Sequence, residues 1–434
     1  MRHLFFGGVE PPHKKDMSLA SREMHTITPQ QVVIPLLQHI GTPCQALVHV
    51  GDDVRAGEKI GDAEGLCVPV HASVSGRVIA IEPRPHTSGR EVMAVVIRSS
   101  DAASSALQTH PPLEDDADSD EVLGGIREAG VVGMGGAAFP GDAKALSAMG
   151  KIDTLIANGC ECEPYITADD MLLRTHPEQV LQGLQILQRL LQPQRTVLAI
   201  EDNKAAAIER VRSCCTGFPQ IELAVLPTRY PQGSEKQLIQ ALTGREVPAG
   251  KLPAAAHCAV FNVSTCAAVF RAVRLGQPLT HRIVTVSGES VSQPQNFWVP
   301  IGTTFRDLLH AAGADSSIRR VISGGAMMGR AQSSLDVPVV KATNAVLCLP
   351  HDSNCAEEDG TCIRCGKCVG VCPMHLQPLY LYRYEKLRKA EQLQRLNLFD
   401  CIECGSCSYI CPAKLPLVER FRAGKQMLKE RGTS

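Results

Sequence analysis

Eight of the chain's 18 cysteines fall in two copies of one pattern, C-x2-C-x2-C-x3-C-P. The first copy is Cys362, Cys365, Cys368 and Cys372 before Pro373; the second is Cys401, Cys404, Cys407 and Cys411 before Pro412. Three thiolates at successive three-residue steps wrap one cubane. The fourth, followed by a proline that turns the chain away, points to a second cubane. The pattern therefore predicts two [4Fe–4S] clusters, one on Cys362, Cys365, Cys368 and Cys411, the other on Cys401, Cys404, Cys407 and Cys372. Gly366 and Gly405 relieve crowding where backbone amides approach cluster sulfurs. Structural zinc is the competing reading, but zinc uses paired C-x2-C knuckles and has no need of a third cysteine at the same step. The other ten cysteines (44, 67, 160, 162, 214, 215, 258, 266, 348 and 355) are scattered and read mostly as small buried hydrophobes. Cys355, just ahead of the first motif, is an alternative ligand position.

At 434 residues the chain has room for two to four domains. Its 44 Lys/Arg against 45 Asp/Glu give a net charge of −1, so no global basic field exists to draw in nucleic acid. The best apolar stretch, Pro253 to Phe270, is broken by His257, Asn262, Ser264 and Thr265, which argues against a membrane span. The N-terminus turns to Gly and Pro too soon for a signal-peptide core, so a cytoplasmic location with only peripheral membrane contact is expected. In that reducing compartment clustered thiols more often hold metal than pair.

From 362 to 434 there are 13 Lys/Arg and 6 Asp/Glu, and much of this excess would balance the anionic clusters. Gln377 to Asp400 reads as one helix with Leu379, Tyr382, Leu387, Ala390, Leu393 and Leu396 on one side. Leu415 to Arg431 reads as a basic amphipathic helix. Partner docking is preferred to lipid contact because the apolar side is thin, and packing on the cluster module is an equal alternative.

Ahead of the clusters, Ser99 to Glu121 is a Ser-, Ala-, Pro- and acid-rich linker. Upstream, short strand-like runs (46–50, 68–70, 76–81 and 92–97) alternate with turns, a small all-β pattern. G-D-D-V-R-A-G-E-K-I (51–60) and P-V-H-A-S-V-S-G-R-V (69–78) resemble a lipoyl or biotinyl carrier domain. The hairpin tip is His71-Ala72-Ser73, with no lysine to acylate, so the unit is expected to be a structural barrel-sandwich hybrid. Downstream, strands at 154–157, 196–200 and 221–226 alternate with helices at 177–191 and 204–214, predicting an α/β sheet. From 282 to about 329 a strand-rich unit around one helix, 304–312, reads as small α+β.

Gly130-Val-Val-Gly133-Met-Gly135-Gly136-Ala-Ala-Phe139-Pro140 lies between helical stretches 121–129 and 142–149, with Lys144 one turn into the second. Close-set glycine amides ahead of a helix can bind an anion, although the loop taken alone is better explained as a plain tight turn. The stretch Asn158-Gly-Cys-Glu161-Cys-Glu163-Pro164-Tyr165 follows an apolar strand. It places two carboxylates and an amide where α/β sheets bind ligands. A helix-capping turn would explain only one of those carboxylates.

With Y-P-Q-G-S-E (230–235), F-N-V-S-T (261–265), V-S-G-E (286–289), S-G-G-A-M-M-G (323–329), K-A-T-N-A (341–345) and the lead-in F-F-G-G-V-E-P-P-H-K-K (5–15), the order of motifs resembles the RnfC family nearly end to end. Glu10 departs from the histidine expected there. RnfC is the NADH-facing subunit of Rnf, or Rsx, electron-transport complexes, and the middle segments are similar to the flavin subunit of respiratory complex I. The resemblance implies an α/β multidomain chain. Its parts are a lead-in (1–30), the barrel-sandwich hybrid (31–100), an acidic linker (101–120), an FMN/NADH-binding α/β domain (121–281), a β-grasp SLBB domain (282–345) and a helical ferredoxin domain with two [4Fe–4S] clusters (346–434).

It further implies FMN among Gly133, Gly135, Gly136, Lys144, Asn158, Glu161 and Asn262, with Phe139, Glu163 and Glu235 on the nicotinamide side. The implied route runs from NADH to FMN to the first cluster, the second and then another subunit, with no covalent protein catalyst. It implies Rnf/Rsx subunits as partners, at the cytoplasmic face of the inner membrane. Longer relatives continue into an Ala/Lys-rich tail beyond the position of Ser434. The rival readings are a soluble cobalamin-reductase-like flavoprotein and a non-enzymatic iron–sulfur scaffold.

Overall fold

Four short strands, Ile221–Leu226, Arg195–Glu201, Thr154–Gly159 and Cys258–Asn262, lie side by side in that order as a parallel sheet. Successive residues point into opposite cores. Leu155, Ala157, Leu198 and Phe261 join one core, and Ile156, Val197, Ala199 and Val260 join the other. Burial on both faces is why these strands read as unbroken apolar runs rather than as alternation. The chain steps outward twice from Thr154–Gly159 and then crosses back to lay Cys258–Asn262 on its other side. The strand order thus reverses between these two neighbours, which is where such sheets open a ligand crevice.

This computed structural model describes residues 5–21, 23–100, 108–314, 318, 320–350 and 360–432; Cys355 lies outside them. The all-β unit has a four-stranded antiparallel sheet (Gln31–Pro35, Glu91–Ser99, Gly76–Pro85, Asp53–Val54) beside a three-stranded one (Gln45–Ala46, Lys59–Asp62, Val70–His71). The carrier-like tip is not a free arm. His71 and Ser73 are buried, and Ser73 Oγ donates to Ile301 O at 2.5 Å. A tip used as a plug has no place for a swinging lysine.

The α+β unit contributes a six-stranded mixed sheet in the order His25–Thr26, Gln295–Pro300, His281–Ser287, Ala345–Leu349, Arg320–Ser323, Arg330–Gln332. Its first strand comes from the lead-in, which is a strap between units. Val9 bridges Tyr230, and the Gly8 N–H donates to Val371 O at 2.8 Å in the cysteine-rich module.

Two expectations change. Gln377 to Asp400 is not one helix but Pro378–Lys386, Ala390–Arg395 and the 3-10 turn Leu398–Asp400. Arg388 and Asn397 adopt left-handed backbone with φ of +50° and +54°, ending each piece. The breaks carry Leu393 and Leu398 into the core and leave Leu387 exposed. Asparagine tolerates that conformation and signals it weakly; arginine gives no signal. The stretch from 253 to 270, read only as an interrupted apolar run, holds Cys258–Asn262, the edge strand paired with Thr154–Gly159, and most of the helix Val263–Leu275 that follows it. Strand and helix share one apolar run with no turn residue between them, which hides the boundary.

The terminal helix, Leu417–Glu430, buries Leu417, Val418, Phe421 and Leu428 in the core of the cysteine-rich module. Its apolar side is therefore occupied. Arg422 and Lys425 pair with Glu403 at 2.9 and 2.8 Å. Of the three roles weighed for this helix, packing on its own module is the one these contacts fill. No helix among the described residues is long and apolar enough to cross a membrane.

Candidate functional site

Two asparagines stand side by side at the carboxyl edge of the parallel sheet, because Asn158 and Asn262 are register partners in adjacent strands. Asn262 also opens the helix Val263–Leu275. Its Oδ1 accepts the Ser264 N–H at 2.9 Å, and its Nδ2 donates to Asp169 Oδ2 at 2.6 Å. The Ser264 hydroxyl donates to the other Asp169 oxygen at 2.6 Å. Asn158 Nδ2 donates to Gly233 O at 2.9 Å, which draws in the 230–235 segment.

The glycine loop folds over this edge. It closes on itself where the Gly133 N–H donates to Phe139 O at 2.8 Å, and it is anchored where the Met134 N–H donates to Thr265 Oγ1 at 2.8 Å. Gly135 and Gly136 are exposed at the tip. A Cβ on Gly135 would stand 3.3 Å from that of Asn262, and Gly136 has φ +126°, so a side chain at either position would intrude or strain the turn. Lys144 donates to Glu235 Oε1 at 2.6 Å and lies 5.3 Å from the Phe261 ring centroid. Exposed glycine amides, a capped helix start and a lysine form a donor set that fits a phosphate-bearing ligand such as FMN.

The two carboxylates of the acidic motif turn inward. Glu161 is buried and accepts the Asp169 and Asp170 N–H groups at 2.8 and 3.4 Å, capping the helix Ala168–Thr175. Burial lifts its pKa to about 7 despite the opposing pull of Lys15. Glu163 accepts the Met327 and Met328 N–H groups at 3.0 and 2.9 Å and so holds the S-G-G-A-M-M-G loop. Burial lifts it to about 7 as well, partly offset by those amides. A Cβ on Gly325 would come within 2.3 Å of the Glu163 carboxyl carbon, which requires the glycine there. The three residues expected on the nicotinamide side thus have separate partners: Glu235 has Lys144, Glu163 has the 327–328 amides, and the Phe139 carbonyl closes the loop.

Sequence reading missed several supports. Lys15 is buried, and its ammonium donates to the carbonyls of Glu161, Glu163 and Ile166 at 2.8, 2.9 and 2.5 Å; its signal was the P-P-H-K-K lead-in. Lys204, also buried, pairs with Glu201 at 2.8 Å and gave no signal. Asp169, which joins Asn262 to Ser264, stands outside every motif singled out. A cavity of about 230 Å³ opens beside the loop, lined among others by Met134, Ser264, Arg271, Arg282 and Trp298.

The cysteines gather into two pockets. Cys362, Cys365, Cys368 and Cys411 line one; Cys372, Cys401, Cys404 and Cys407 line the other. These are the two sets the crossover predicts. The repeat is visible in the backbone, since Arg364, Gly366 and His375 have positive φ and so do Glu403, Gly405 and Lys414, each 39 positions on. A zinc tetrahedron holds its sulfurs about 3.8 Å apart. Among the described residues no three of these cysteines bring their sulfurs within 4.8 Å of one another, so the pockets suit a cubane better than a single ion.

The second-motif pocket is the inner one. The Tyr230 hydroxyl donates to Cys404 O at 2.6 Å, Gln237 Nε2 donates to Pro373 O at 3.3 Å, and Gly405 abuts the Met327 carbonyl. At the first-motif pocket Cys365 and Ile363 are exposed. The expected order, first motif then second moving away from the crevice, is therefore reversed in space.

A doubly wound crevice joined to a two-pocket cysteine module defines a flavin and iron–sulfur electron-transfer protein. Family models agree segment by segment: the RnfC barrel sandwich hybrid domain matches residues 3–102, the Nuo51 FMN-binding domain 126–271, the SLBB domain 283–331 and the 4Fe-4S dicluster domain 355–412. The chain is 43% identical over 427 residues to the C subunit of the Na(+)-translocating ferredoxin:NAD(+) oxidoreductase complex of Acetobacterium woodii, covering 97% of this chain and 96% of that one. It is 42% identical over 432 residues to the C subunit of the ion-translocating oxidoreductase complex of Serratia proteamaculans, covering 98% of this chain but 61% of that relative.

A solved NAD+-reducing [NiFe]-hydrogenase in its H2-reduced state shares the fold over 72% of this chain and 62% of its own, with TM-score 0.50 and 22% identity. The chain belongs to the RnfC family, the C subunits of ion-translocating oxidoreductase complexes. FMN and two [4Fe–4S] clusters are its cofactors.

Proposed function

We infer that this chain is the electron-input subunit of an Rnf-type ion-translocating complex. It exchanges electrons with NADH and lies peripherally at the cytoplasmic face of the inner membrane beside the other subunits. The observation that carries this reading is the direct join between crevice and module: Tyr230, from the segment that Asn158 holds through Gly233, donates to the carbonyl of Cys404. When bound, FMN supplies the conversion between the electron pair of a hydride and the single electrons a cubane accepts.

The chain's own residues hold and orient. Gly135 and Gly136 offer backbone amides, and Lys144 offers a cation, to the FMN phosphate, while Gly133 closes the loop that carries them through its bond to Phe139 O. Asn158 and Asn262 present amides to the flavin at the sheet edge, and Glu161 acts through the helix it caps. Phe139, Glu163 and Glu235 lie toward the nicotinamide, with Glu163 acting by fixing the 327–328 backbone. Cys362, Cys365, Cys368 and Cys411 hold the outer cluster; Cys372, Cys401, Cys404 and Cys407 hold the inner one. No protein nucleophile is needed.

The test is anaerobic addition of NADH to protein carrying its cofactors, followed in the visible spectrum. Loss of the flavin band supports the reading, and an unchanged band contradicts it, as a purely structural iron–sulfur scaffold would show.

A further inference from the structure

One set of metal-type ligands lies outside everything described so far. In the barrel-sandwich unit His39, Cys44 and Cys67 bring their ligand atoms within 4.8 Å of one another, the one such group among the described residues. All three residues are buried, 6%, 5% and 2% exposed. The two sulfurs are 3.5 Å apart. Two thiolates on one zinc ion, each about 2.3 Å from the metal, would stand about 3.8 Å apart.

The imidazole supplies the second observation. His39 Nε2 meets Thr42 O at 3.0 Å, and a carbonyl can only accept, so Nε2 carries the proton and Nδ1 keeps a free lone pair. Nδ1 is buried and has no hydrogen-bond partner. Leaving such a nitrogen unpaired in a core carries its desolvation penalty uncompensated. A metal-bound histidine has this same arrangement, one ring nitrogen on the ion and the other N–H on a backbone carbonyl.

The two loops that carry these ligands are already pressed together. The Thr42 N–H donates to Leu66 O at 2.9 Å, and a Cβ on Gly41 would fall 1.9 Å from that same oxygen. Little ordering remains for binding to impose.

We propose that His39, Cys44 and Cys67 form a zinc(II) site, with a solvent or backbone oxygen as fourth ligand. Two thiolates offset the divalent charge, so the buried Lys341 ammonium nearby faces a neutral centre. The site is structural and outside the electron path. Its position ties it to the crevice, because the Ile40 N–H, next to His39, donates at 3.0 Å to the carbonyl of Ala138, at the closing end of the glycine loop. An ion pinning 39–44 to 67 braces the barrel against that loop.

The test uses the full chain with its clusters, grown with zinc and purified anaerobically without chelator, by elemental analysis and X-ray absorption at the zinc edge. We expect one zinc per chain beyond the iron, with two sulfurs at about 2.3 Å and nitrogen or oxygen at about 2.0–2.1 Å. In a Cys44→Ser/Cys67→Ser double variant zinc falls to background while iron and FMN stay unchanged. Should that variant not fold, the edge spectrum of the natural chain decides alone. Zinc at background in the natural chain, a shell of four sulfurs (zinc in the cluster pockets), zinc retained by the folded double variant, or recovery of Cys44 and Cys67 as a disulfide after anaerobic acid quench and alkylation would each overturn the proposal.

Discussion

The cysteine module and the crevice are built on different scales. In the module each pocket takes three ligands from a seven-residue stretch and one from the other copy, and the core beneath them is the module's own. In the crevice the glycine loop, the 158–163 turn, Asp169, the 230–235 segment and the Asn262 cap are tied by bonds spanning up to 131 positions, with Lys15 from the lead-in beneath them. A local site fails ligand by ligand. A site assembled from distant segments depends on the groups that hold the segments, which need not touch a ligand. Glu161 is such a group: it caps a helix, and that helix presents Asp169 to Asn262.

The largest expected effect tests the local half. Replacing Cys404 with serine should empty the inner pocket only, lowering iron from about eight to about four per chain while FMN remains. Iron analysis with flavin release reads both, and loss of all iron would show that the pockets are not independent. In the crevice, Gly135→Glu should remove FMN almost wholly while leaving iron in place. The added side chain meets Asn262, and its carboxylate opposes a phosphate. FMN retained at full stoichiometry would place the flavin elsewhere.

A third effect is a pH slope. Glu161 binds its proton at about 7 in the folded chain, against 4.5 ordinarily, so the folded state holds a proton that the unfolded chain releases. The stabilisation from this group is fully present below pH 4.5 and is lost as pH rises through 7, an amount on the order of 3 kcal/mol. Glu161→Gln should flatten the fall in denaturation midpoint between pH 5 and pH 8 relative to the natural chain; an unchanged slope would put the proton on another group. The smallest effect is at the seam: Tyr230→Phe removes one hydrogen bond to Cys404 O and should cost about 1 kcal/mol, with iron and FMN unaltered.

How far each part was legible follows from the same contrast of scale. The eight cysteines and their crossover follow from spacing alone, because cluster geometry fixes that spacing. The strands at 154–157, 196–200 and 221–226 and the helix at 177–191 are found within a residue or two, since their apolar patterns are set by the cores they enter. The roles of Glu161 and Glu163 were not legible. A carboxylate beside a glycine loop reads the same in sequence whether it faces a ligand or a backbone amide, and only burial and partners decide. Lys204 and Asp169 are ordinary charged residues until the fold brings Glu201 and Asn262 against them. The strand Cys258–Asn262 was hidden because no turn separates it from its helix.

The central claim, one chain holding a flavin crevice and two cubane pockets, is tested most directly by the iron, acid-labile sulfide and FMN content of anaerobically purified protein. About eight irons, about eight sulfides and one FMN per chain are predicted. Protein that is folded yet colourless, or that carries zinc in the cluster cysteines and no flavin, would contradict it.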